Sequence, residues 1–417
     1  NGIISTLPDF FHFQDHGSYF VKIQIDGELY YPMIYDFLVC TKSEFNKFII
    51  TRDQSICSIY EKVRINQSSK EGQTSGHIEK GGAYQFLFYP SGYKEHSKVT
   101  ITLKNPNSYL DSEVQPCLYT EPIFCGIVII IFLIWLINWF ISSCYKGCHS
   151  EFSFTLHEFI TIAYIVTILY SICQIFDLWI SHKKDTVTPL TKITISFRFL
   201  QYWVLFSTML MASKGWCIVH PTLSRKSVFL CILISLFVSI PLIVMEYVQL
   251  GNWGYLVLFF GMIGIIIYYR YLMDAIRDAT LYVVAHLVVI SKEGIDPSST
   301  PVHSKYRMFR VISWGVVMYF ILTFVVSSAA SFASIPYYIE DLLQDIITLT
   351  VLGGAAYIFR LKREMRNGYM VIGDINDDIE PQRFNKDDIR GMTLESVENI
   401  DANENNEMKE WEEGMYL

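Results

Sequence analysis

Long uncharged apolar runs recur along the chain after residue 120 and set its organisation. A helix needs about 20 residues to cross the roughly 30 Å of hydrocarbon in a bilayer, and it must satisfy its own backbone there. Seven runs fit this pattern and predict seven membrane-spanning helices, which are Ile123–Ser142, Phe154–Ile180, Ile193–Ala212, Val228–Val248, Tyr255–Leu272, Val311–Ala333 and Leu342–Phe359. A shorter apolar stretch, Ala279–Ile290, is expected to be a cytoplasmic extension of the fifth span or an interfacial helix.

The first 120 residues contain segments that alternate between apolar and polar positions, which is typical of half-buried β-strands. Ser18–Asp26 has this alternation and ends in an Asp-Gly turn, while Ala83–Tyr89 and Lys98–Leu103 are rich in aromatic or β-branched residues. Arg64–Gly82 is polar and rich in Gly and Ser, which predicts a long loop. We therefore expect residues 1–120 to form an extracytoplasmic β-sandwich in front of an all-α seven-helix membrane domain at residues 121–366.

Charge is unevenly distributed and defines a third region. Only 18% of the residues are charged, compared with about 25% in soluble domains. Residues 374–417 hold 14 acidic and 4 basic residues, a net charge of −10, although the whole chain carries −8. A segment with one dominant charge and few aromatic residues buries too little apolar surface to fold alone, so we expect residues 367–417 to be a disordered acidic tail.

Basic residues orient the predicted spans. Fourteen Lys and Arg residues flank the spans on one side, whereas the short loops on the other side hold only Lys183, Lys184 and Lys192. The positive-inside rule makes the richer side cytosolic. An odd number of spans then places the N-terminal region in the lumen or outside the cell and the acidic tail in the cytosol. Because the chain begins with Asn1 rather than Met, we also expect that a signal peptide has been removed.

Two features fit a luminal N-terminal region. The triplet that begins at Asn66 is an N-glycosylation sequon, which is used only in the secretory lumen. In that oxidising compartment one or two disulfides are expected, with the pairing left open, among Cys40, Cys57, Cys117 and Cys125.

Polar residues inside the apolar spans mark the candidate site, because ionisable groups are costly in hydrocarbon. With this orientation six of them fall in the outer half of the bundle, namely Asp177, Arg198, Gln201, Glu246, Gln344 and Asp345. We infer a polar cavity for a ligand, a lipid headgroup or an ion, in which one or more of the three acidic residues counter Arg198. The alternative is that these residues reach interfacial water and form one structural ion pair. His157, near the inner end of the second span, is expected to face lipid headgroups.

The sequence carries none of the motifs that mark common enzyme classes. It has no G-x-S-x-G elbow, phosphate-binding loop or H-E-x-x-H, and the seventh span offers no His for a zinc site. We therefore expect no catalytic residues, no metal and no cofactor. No basic patch with interleaved aromatic residues indicates nucleic-acid binding. The small residues Gly353–Ala356 in the seventh span are expected to allow close helix packing.

The order of elements and three short motifs resemble one membrane family. The motifs are Ser213–Pro221 at the end of the third span, Lys305–Arg310 before the sixth, and Ile358–Leu361 running on to Asn367–Tyr369 after the seventh. Together with the β-sandwich and the seven helices, they resemble the GOST proteins, the Golgi-dynamics-domain superfamily that includes lung seven-transmembrane receptors, intimal-thickness receptor-like proteins and Wntless.

The resemblance covers about residues 1–370. It implies a GPCR-like bundle in a Golgi or endosomal membrane, in a protein that accompanies cargo or acts as an orphan receptor. Some members of the superfamily are described as cation channels, and one carries a lipidated ligand. The resemblance also implies that Arg198 corresponds to the family's usual basic residue in the third helix.

A short motif after the seventh span indicates sorting. Tyr369 to Ile372 has the Tyr-x-x-apolar form of a clathrin-adaptor signal, and an extended segment there would add to a sheet edge of the adaptor. Our leading hypothesis is a trafficking protein of the Golgi and endosomes, with membrane lipids, lipid or protein cargo and coat proteins as partners. Two alternatives are an orphan GPCR-like signalling receptor, which would also fit the plasma membrane, and a cation channel.

Overall fold

The computed structural model describes residues 5–6, 10–25, 33–51, 53–65, 70–90, 97–144, 155–185, 189–216, 223–247, 254–292, 301–333 and 335–359. Within these ranges the chain forms two compact units. The first combines the N-terminal region up to Cys125 with Ser171–Thr194 and Ser327–Leu343. The second combines Gly126–Tyr170, Ile195–Val326 and the described residues from Gln344 onward.

The N-terminal region is built from antiparallel β-sheets, and its described strands are β1 (Ser5–Thr6), β2 (Phe11–Phe13), β3 (Gly17–Ile25), β4 (Met33–Thr41), β5 (Ile59–Ile65), β6 (Glu71–Ile78), β7 (Gly82–Pro90) and β8 (Ser97–Lys104). One sheet has the order β1-β7-β4-β5, with β2 also paired to β7. The other has the order β6-β3-β8. The three strands expected from the sequence are therefore confirmed as β3, β7 and β8.

Side chains from both sheets share one apolar core. Alternate residues of β3 are buried, as the two-residue period of a strand requires. The Tyr19 ring of β3 lies 5.5 Å from the Phe37 ring of β4 and 5.9 Å from the Phe86 ring of β7. Val21 and Ile23 are fully buried in the same cluster. This aromatic and aliphatic core stabilises the region, because each large apolar side chain contributes about 1.5–3 kcal/mol on burial.

The expectation of a long loop over Arg64–Gly82 is wrong, because eight of its residues form the edge strand β6. Eight consecutive residues of β6 pair with β3. Glycine is needed in β6 because neighbouring side chains occupy the space of a Cβ, and not because the backbone must be flexible. A Cβ on Gly76 would clash with the Tyr19 hydroxyl, and a Cβ on Gly72 would lie 2.9 Å from Val63. The polar character follows from the position of β6 at the edge of its sheet.

A short helix, α1 (Lys42–Thr51), follows β4 and is held at its start by Glu44. The Glu44 carboxylate accepts the Thr41 N–H at 2.9 Å, and the Thr41 hydroxyl accepts the Glu44 N–H at 3.4 Å, which is a capping box. The Glu44 carboxylate also accepts a hydrogen bond from the Ser58 hydroxyl. Partial burial acts to raise the pKa of Glu44, but these donors outweigh it and hold the pKa below its ordinary value.

One disulfide, between Cys40 and Cys57, joins the end of β4 to the segment before β5 and brackets α1. The other two candidates, Cys117 and Cys125, are thiols, so the expectation of one or two disulfides is met by this single cross-link. Both are buried on one helix. Eight residues of helix separate their Cα atoms by about 12 Å, which is too far for a disulfide between them.

Seven long helices follow among the described residues, namely α2 (Cys117–Cys144), α3 (Thr155–Lys183), α4 (Pro189–Ser213), α5 (Arg225–Tyr247), α6 (Gly254–Lys292), α7 (Pro301–Ala333) and α8 (Tyr337–Ile358). Six segments of the described helices are long and apolar enough to cross a membrane, and they lie in α2, α3, α4, α5, α6 and α8. Large apolar side chains point outward from these helices. On α2, Ile130, Ile134 and Ile137 are each more than half exposed. Such a surface is unfavourable in water and suits lipid.

The apolar stretch Ala279–Ile290 continues α6 rather than forming a separate interfacial helix. With 39 residues, α6 is about 58 Å long, well beyond the roughly 30 Å hydrocarbon core. Ala279, Val283 and Leu287, spaced by four residues, are all buried. This face therefore packs on protein, and the stretch is a helical extension of α6, while its cytoplasmic placement stays a prediction.

The two glycines of α8, Gly353 and Gly354, do not make the close helix contact that was expected of them. No described heavy atom lies within 4 Å of the position that a Cβ would take on Gly353 or Gly354. The close contact in this part of α8 comes from Leu352, whose carbonyl oxygen accepts the Tyr164 hydroxyl of α3 at 2.8 Å. A large side chain and a hydrogen bond therefore hold α8 against α3 at this level, rather than a Gly–Ala surface.

Candidate functional site

A buried guanidinium lies at the centre of the candidate site. Arg198, in the third turn of α4, is only 4% exposed. Its Cζ atom lies 4.7 Å from the centre of the Tyr170 ring on α3 and 4.8 Å from the centre of the Tyr202 ring on α4. Aromatic faces carry negative electrostatic potential, so they stabilise a desolvated cation by about 2 kcal/mol or more.

Two amide oxygens complete this environment. Arg198 Nη1 donates to Gln201 Oε1 at 3.2 Å, and Nη2 donates to Gln344 Oε1 on α8 at 3.3 Å. Gln201 Nε2 in turn donates to the Thr167 hydroxyl on α3 at 3.5 Å. Residues 198, 201 and 202 share one face of α4 because they are three and four positions apart. The site is therefore built by α3, α4 and α8, and it surrounds the guanidinium with aromatic faces and amide oxygens.

The structure brings three of the six predicted site residues together, namely Arg198, Gln201 and Gln344. Asp177 accepts the Thr191 hydroxyl at 2.8 Å, within the first unit. Asp345 follows Gln344 on α8 and is 5% exposed. Glu246 belongs to α5, but its side chain lies outside the described residues. A direct counter-ion role of these three acids toward Arg198 stays a prediction.

Two buried carboxylates in the first unit were missed from the sequence. Glu121 on α2 is 1% exposed and Asp341 on α8 is 8% exposed, and carboxylate oxygens of the two lie within 4.8 Å of each other. Gln174 Nε2 on α3 donates to Glu121 Oε1 at 3.0 Å. Carboxylates so close together repel each other unless a proton, a hydrogen-bond donor or a cation lies between them. Their oxygens are ligands that hard cations prefer.

Glu121 and Asp341 were missed because the predicted spans begin later than the helices do. The predicted spans begin at Ile123 and Leu342, immediately after these two acids, whereas α2 begins at Cys117 and α8 at Tyr337. A span predicted from average hydropathy leaves out a polar first turn, although that turn belongs to the same helix. The four-residue spacing of Asp341 and Asp345, which places both on one helical face, was the available signal.

His157 does not face lipid headgroups as expected. It is 2% exposed, and its ring stacks on the Trp135 ring of α2 with a centroid distance of 5.5 Å. Its Nε2 lies 3.0 Å from the carbonyl oxygen of Phe359, directly after α8. Since the last carbonyls of a helix lack intrahelical partners, His157 acts as a cap for the end of α8.

Two predicted features, the Asn66 sequon and the sorting signal of Tyr369 and Ile372, lie outside the described residues. Within the described residues, the fold and the site define an integral membrane protein with an N-terminal β-sheet region and a buried arginine among its helices. No protein-family model matches the chain, and no curated protein is significantly similar to it.

Proposed function

We propose that this chain is a non-enzymatic seven-helix protein of Golgi or endosomal membranes that binds an anionic ligand, lipid headgroup or cargo at Arg198. One observation carries the proposal, the nearly complete burial of a guanidinium between two Tyr rings and two amide oxygens. Removing an ion from water costs several kcal/mol. A protein that keeps such a group in place, with planar partners that fix its orientation, has a site suited to recognition of charge.

The seven-span part of the proposal adds α7 to the six apolar segments. The Phe320 ring of α7 lies 5.9 Å from the Tyr268 ring of α6, and the Tyr319 ring lies 6.4 Å from the Phe206 ring of α4. A helix of 33 residues in contact with two spanning helices fits a seventh span. The luminal placement of the β region is supported by the Cys40–Cys57 disulfide, because disulfides persist in oxidising compartments.

The proposed ligand class is a carboxylate or phosphate. The guanidinium presents five N–H donors in a planar fork that matches these anions. Gln201 and Gln344 each hold one terminal nitrogen, which fixes the plane of the fork. The low dielectric around Arg198 strengthens the attraction to an incoming anion compared with water.

Binding of anionic lipid tests this proposal directly. The full chain would be placed in nanodiscs of phosphatidylcholine with or without phosphatidylserine, and retained lipid counted by native mass spectrometry. We expect Arg198→Gln to reduce retained phosphatidylserine by roughly tenfold or more, since a charge-assisted hydrogen bond contributes about 1.5–3 kcal/mol. Arg277→Gln is the matched control, because that side chain is 61% exposed on α6. Equal retention by the Arg198 variant and the wild type would contradict an anion site.

The trafficking part of the proposal rests on the resemblance to the GOST proteins and on the Tyr369 motif. It is tested by imaging a tagged full-length chain together with Golgi and endosomal markers. Stable residence in mitochondria or in the nucleus would contradict it.

A cation channel is a second candidate, and the buried pair Glu121 and Asp341 favours it. Carboxylates in the outer part of a bundle attract cations and mark ion pathways in many membrane proteins. In liposomes that contain the purified chain, cation flux through such a path is expected to fall several-fold in Glu121→Gln. The exposed Asp185→Asn serves as the control. Absence of flux in the wild type, or equal flux in both variants, would exclude this candidate.

A further inference from the structure

His12 connects three segments of the first unit. It is the central residue of β2 and pairs with Ala83 of β7. Its backbone N–H donates to Asp111 Oδ2 at 2.8 Å, and its carbonyl oxygen accepts the Ser112 N–H at 2.9 Å. The free edge of β2 is therefore covered by the segment that leads from β8 into α2.

Both nitrogens of the His12 ring face carboxylates. Nδ1 lies 3.3 Å from Asp111 Oδ2, and Nε2 lies 3.2 Å from Glu113 Oε1. A neutral imidazole has one N–H donor and one acceptor, so one of its nitrogens would present a lone pair to a carboxylate oxygen. Only the imidazolium can donate to both acids. Nδ1 is hydrogen-bonded to Asp111 Oδ2, and protonation of the ring adds an ion pair between His12 and Glu113. The geometry therefore favours a proton on His12.

The contact continues into the first turn of α8. Glu113 Oε2 accepts the backbone N–H of Tyr337, the first residue of α8, at 3.3 Å. The Glu113 N–H donates to Asp111 Oδ1 at 2.8 Å, and α2 begins only four residues later, at Cys117. A carboxylate at a helix N-terminus is favourable for the helix dipole. The Glu113 carboxylate therefore contacts both the His12 ring and the first residue of α8.

We propose that His12, Asp111 and Glu113 form a proton-dependent latch, which fastens β2 to the starts of α2 and α8 in acidic surroundings and loosens as the pH rises. The latch uses no residue of the Arg198 site and does not depend on the proposed function. Its operation in an acidic organelle lumen would follow from the proposed luminal orientation.

The charges around His12 set the direction of the response. The hydrogen bond and charge of Asp111 raise the pKa of His12 above 6.5, and Glu113 adds to this effect. Partial burial and the charge of Lys42, in the first turn of α1, act in the opposite direction but are outweighed. A group with a raised pKa in the folded state contributes its full stabilisation below its unfolded pKa of about 6.5. That stabilisation is lost as the pH rises through the folded value.

Amide hydrogen exchange on the full chain in nanodiscs tests the latch. Exchange of residues 111–117 and 337–343, corrected for the intrinsic effect of pH, would be compared at about pH 5.5 and about pH 8.5. We expect several-fold faster exchange at the higher pH, because the latch loses its ion pairs as His12 is deprotonated. In His12→Gln, exchange should be fast at both values. His77→Gln, which alters an exposed histidine on β6, should behave as the wild type.

A second variant separates a proton-dependent latch from a merely structural histidine. Glu113→Gln keeps a hydrogen-bonding side chain but removes one negative charge, so the pH midpoint of the exchange change should move to lower pH. This midpoint is readable even if His12→Gln folds poorly. A midpoint that Glu113→Gln does not move, or wild-type exchange that is independent of pH, would overturn the proposal.

Discussion

Replacing Arg198 with alanine is expected to lower the free energy of unfolding of the helical region by about 3 kcal/mol. The substitution leaves the Gln201 and Gln344 oxygens without their described donor. Each buried acceptor left unsatisfied costs about 1–3 kcal/mol, and the stacking of the guanidinium on Tyr170 and Tyr202 is lost as well. Relief of the desolvation cost of a buried charge offsets part of this loss.

The measurement is thermal unfolding of the full chain, followed by tryptophan fluorescence. All eight tryptophans lie beyond residue 120, and five of them lie in the described helices. This signal therefore reports mainly on the helices, and the midpoint is expected to fall on the order of 5–10 °C. Arg198→Lys should recover part of the loss, because an ammonium keeps the charge but cannot hold two amides in one plane. Arg277→Ala, an exposed partner of Asp274, should change the free energy by less than about 0.5 kcal/mol.

An unfolding midpoint that does not change in Arg198→Ala would contradict a stabilising role of Arg198. If phosphatidylserine retention fell in Arg198→Gln while the unfolding midpoint stayed unchanged in Arg198→Ala, the guanidinium would serve binding alone. A large stability loss with unchanged lipid retention would show the converse, a structural arginine without a ligand. The two measurements therefore separate the two interpretations of Arg198 that the sequence left open.

Local patterns in the sequence were sufficient for the helical region and for three of the eight described strands, β3, β7 and β8. Long apolar runs report directly on burial in lipid, and alternation reports on a half-buried strand. Arg198 was located because charge is rare in such runs, and Gln201 lies three residues further along the same helix. The Tyr202 ring, four positions from Arg198, was equally accessible from helical spacing. Tyr170 was not, because aromatic residues are common throughout these helices and the contact comes from another helix.

Features set by distant contacts could not be predicted in the same way. Gly72 and Gly76 indicated a loop, yet their lack of a side chain accommodates Val63 and Tyr19, which come from other strands. Pairing of β6 with β3 outweighed the weak strand propensity of this segment. The pairing of His12 with acids about 100 positions away is of the same kind. No local spacing rule relates residues so far apart.

Removal of the Cys40–Cys57 disulfide is expected to cost the β region about 3 kcal/mol, which is the loop-entropy value for a closed loop of this size. The two cysteines are 17 positions apart. They belong to a small apolar cluster with Leu38, Phe48 and Leu87, and the cross-link brackets α1. Without it, α1 has the Glu44 capping box and the burial of Phe48 as its main described attachments.

The double change Cys40→Ala and Cys57→Ala is the preferred variant, because alanine leaves neither a reactive thiol nor an unsatisfied hydroxyl in the cluster. Since the β region holds no tryptophan, the readout is amide exchange of residues 42–51 and 59–65 in the full chain. We expect exchange there to rise by roughly a hundredfold, in line with 3 kcal/mol. Cys173→Ala on α3, a thiol outside any cross-link, is the matched control. Exchange in α1 that matches the wild type would mean that the capping box and Phe48 hold the helix without the disulfide.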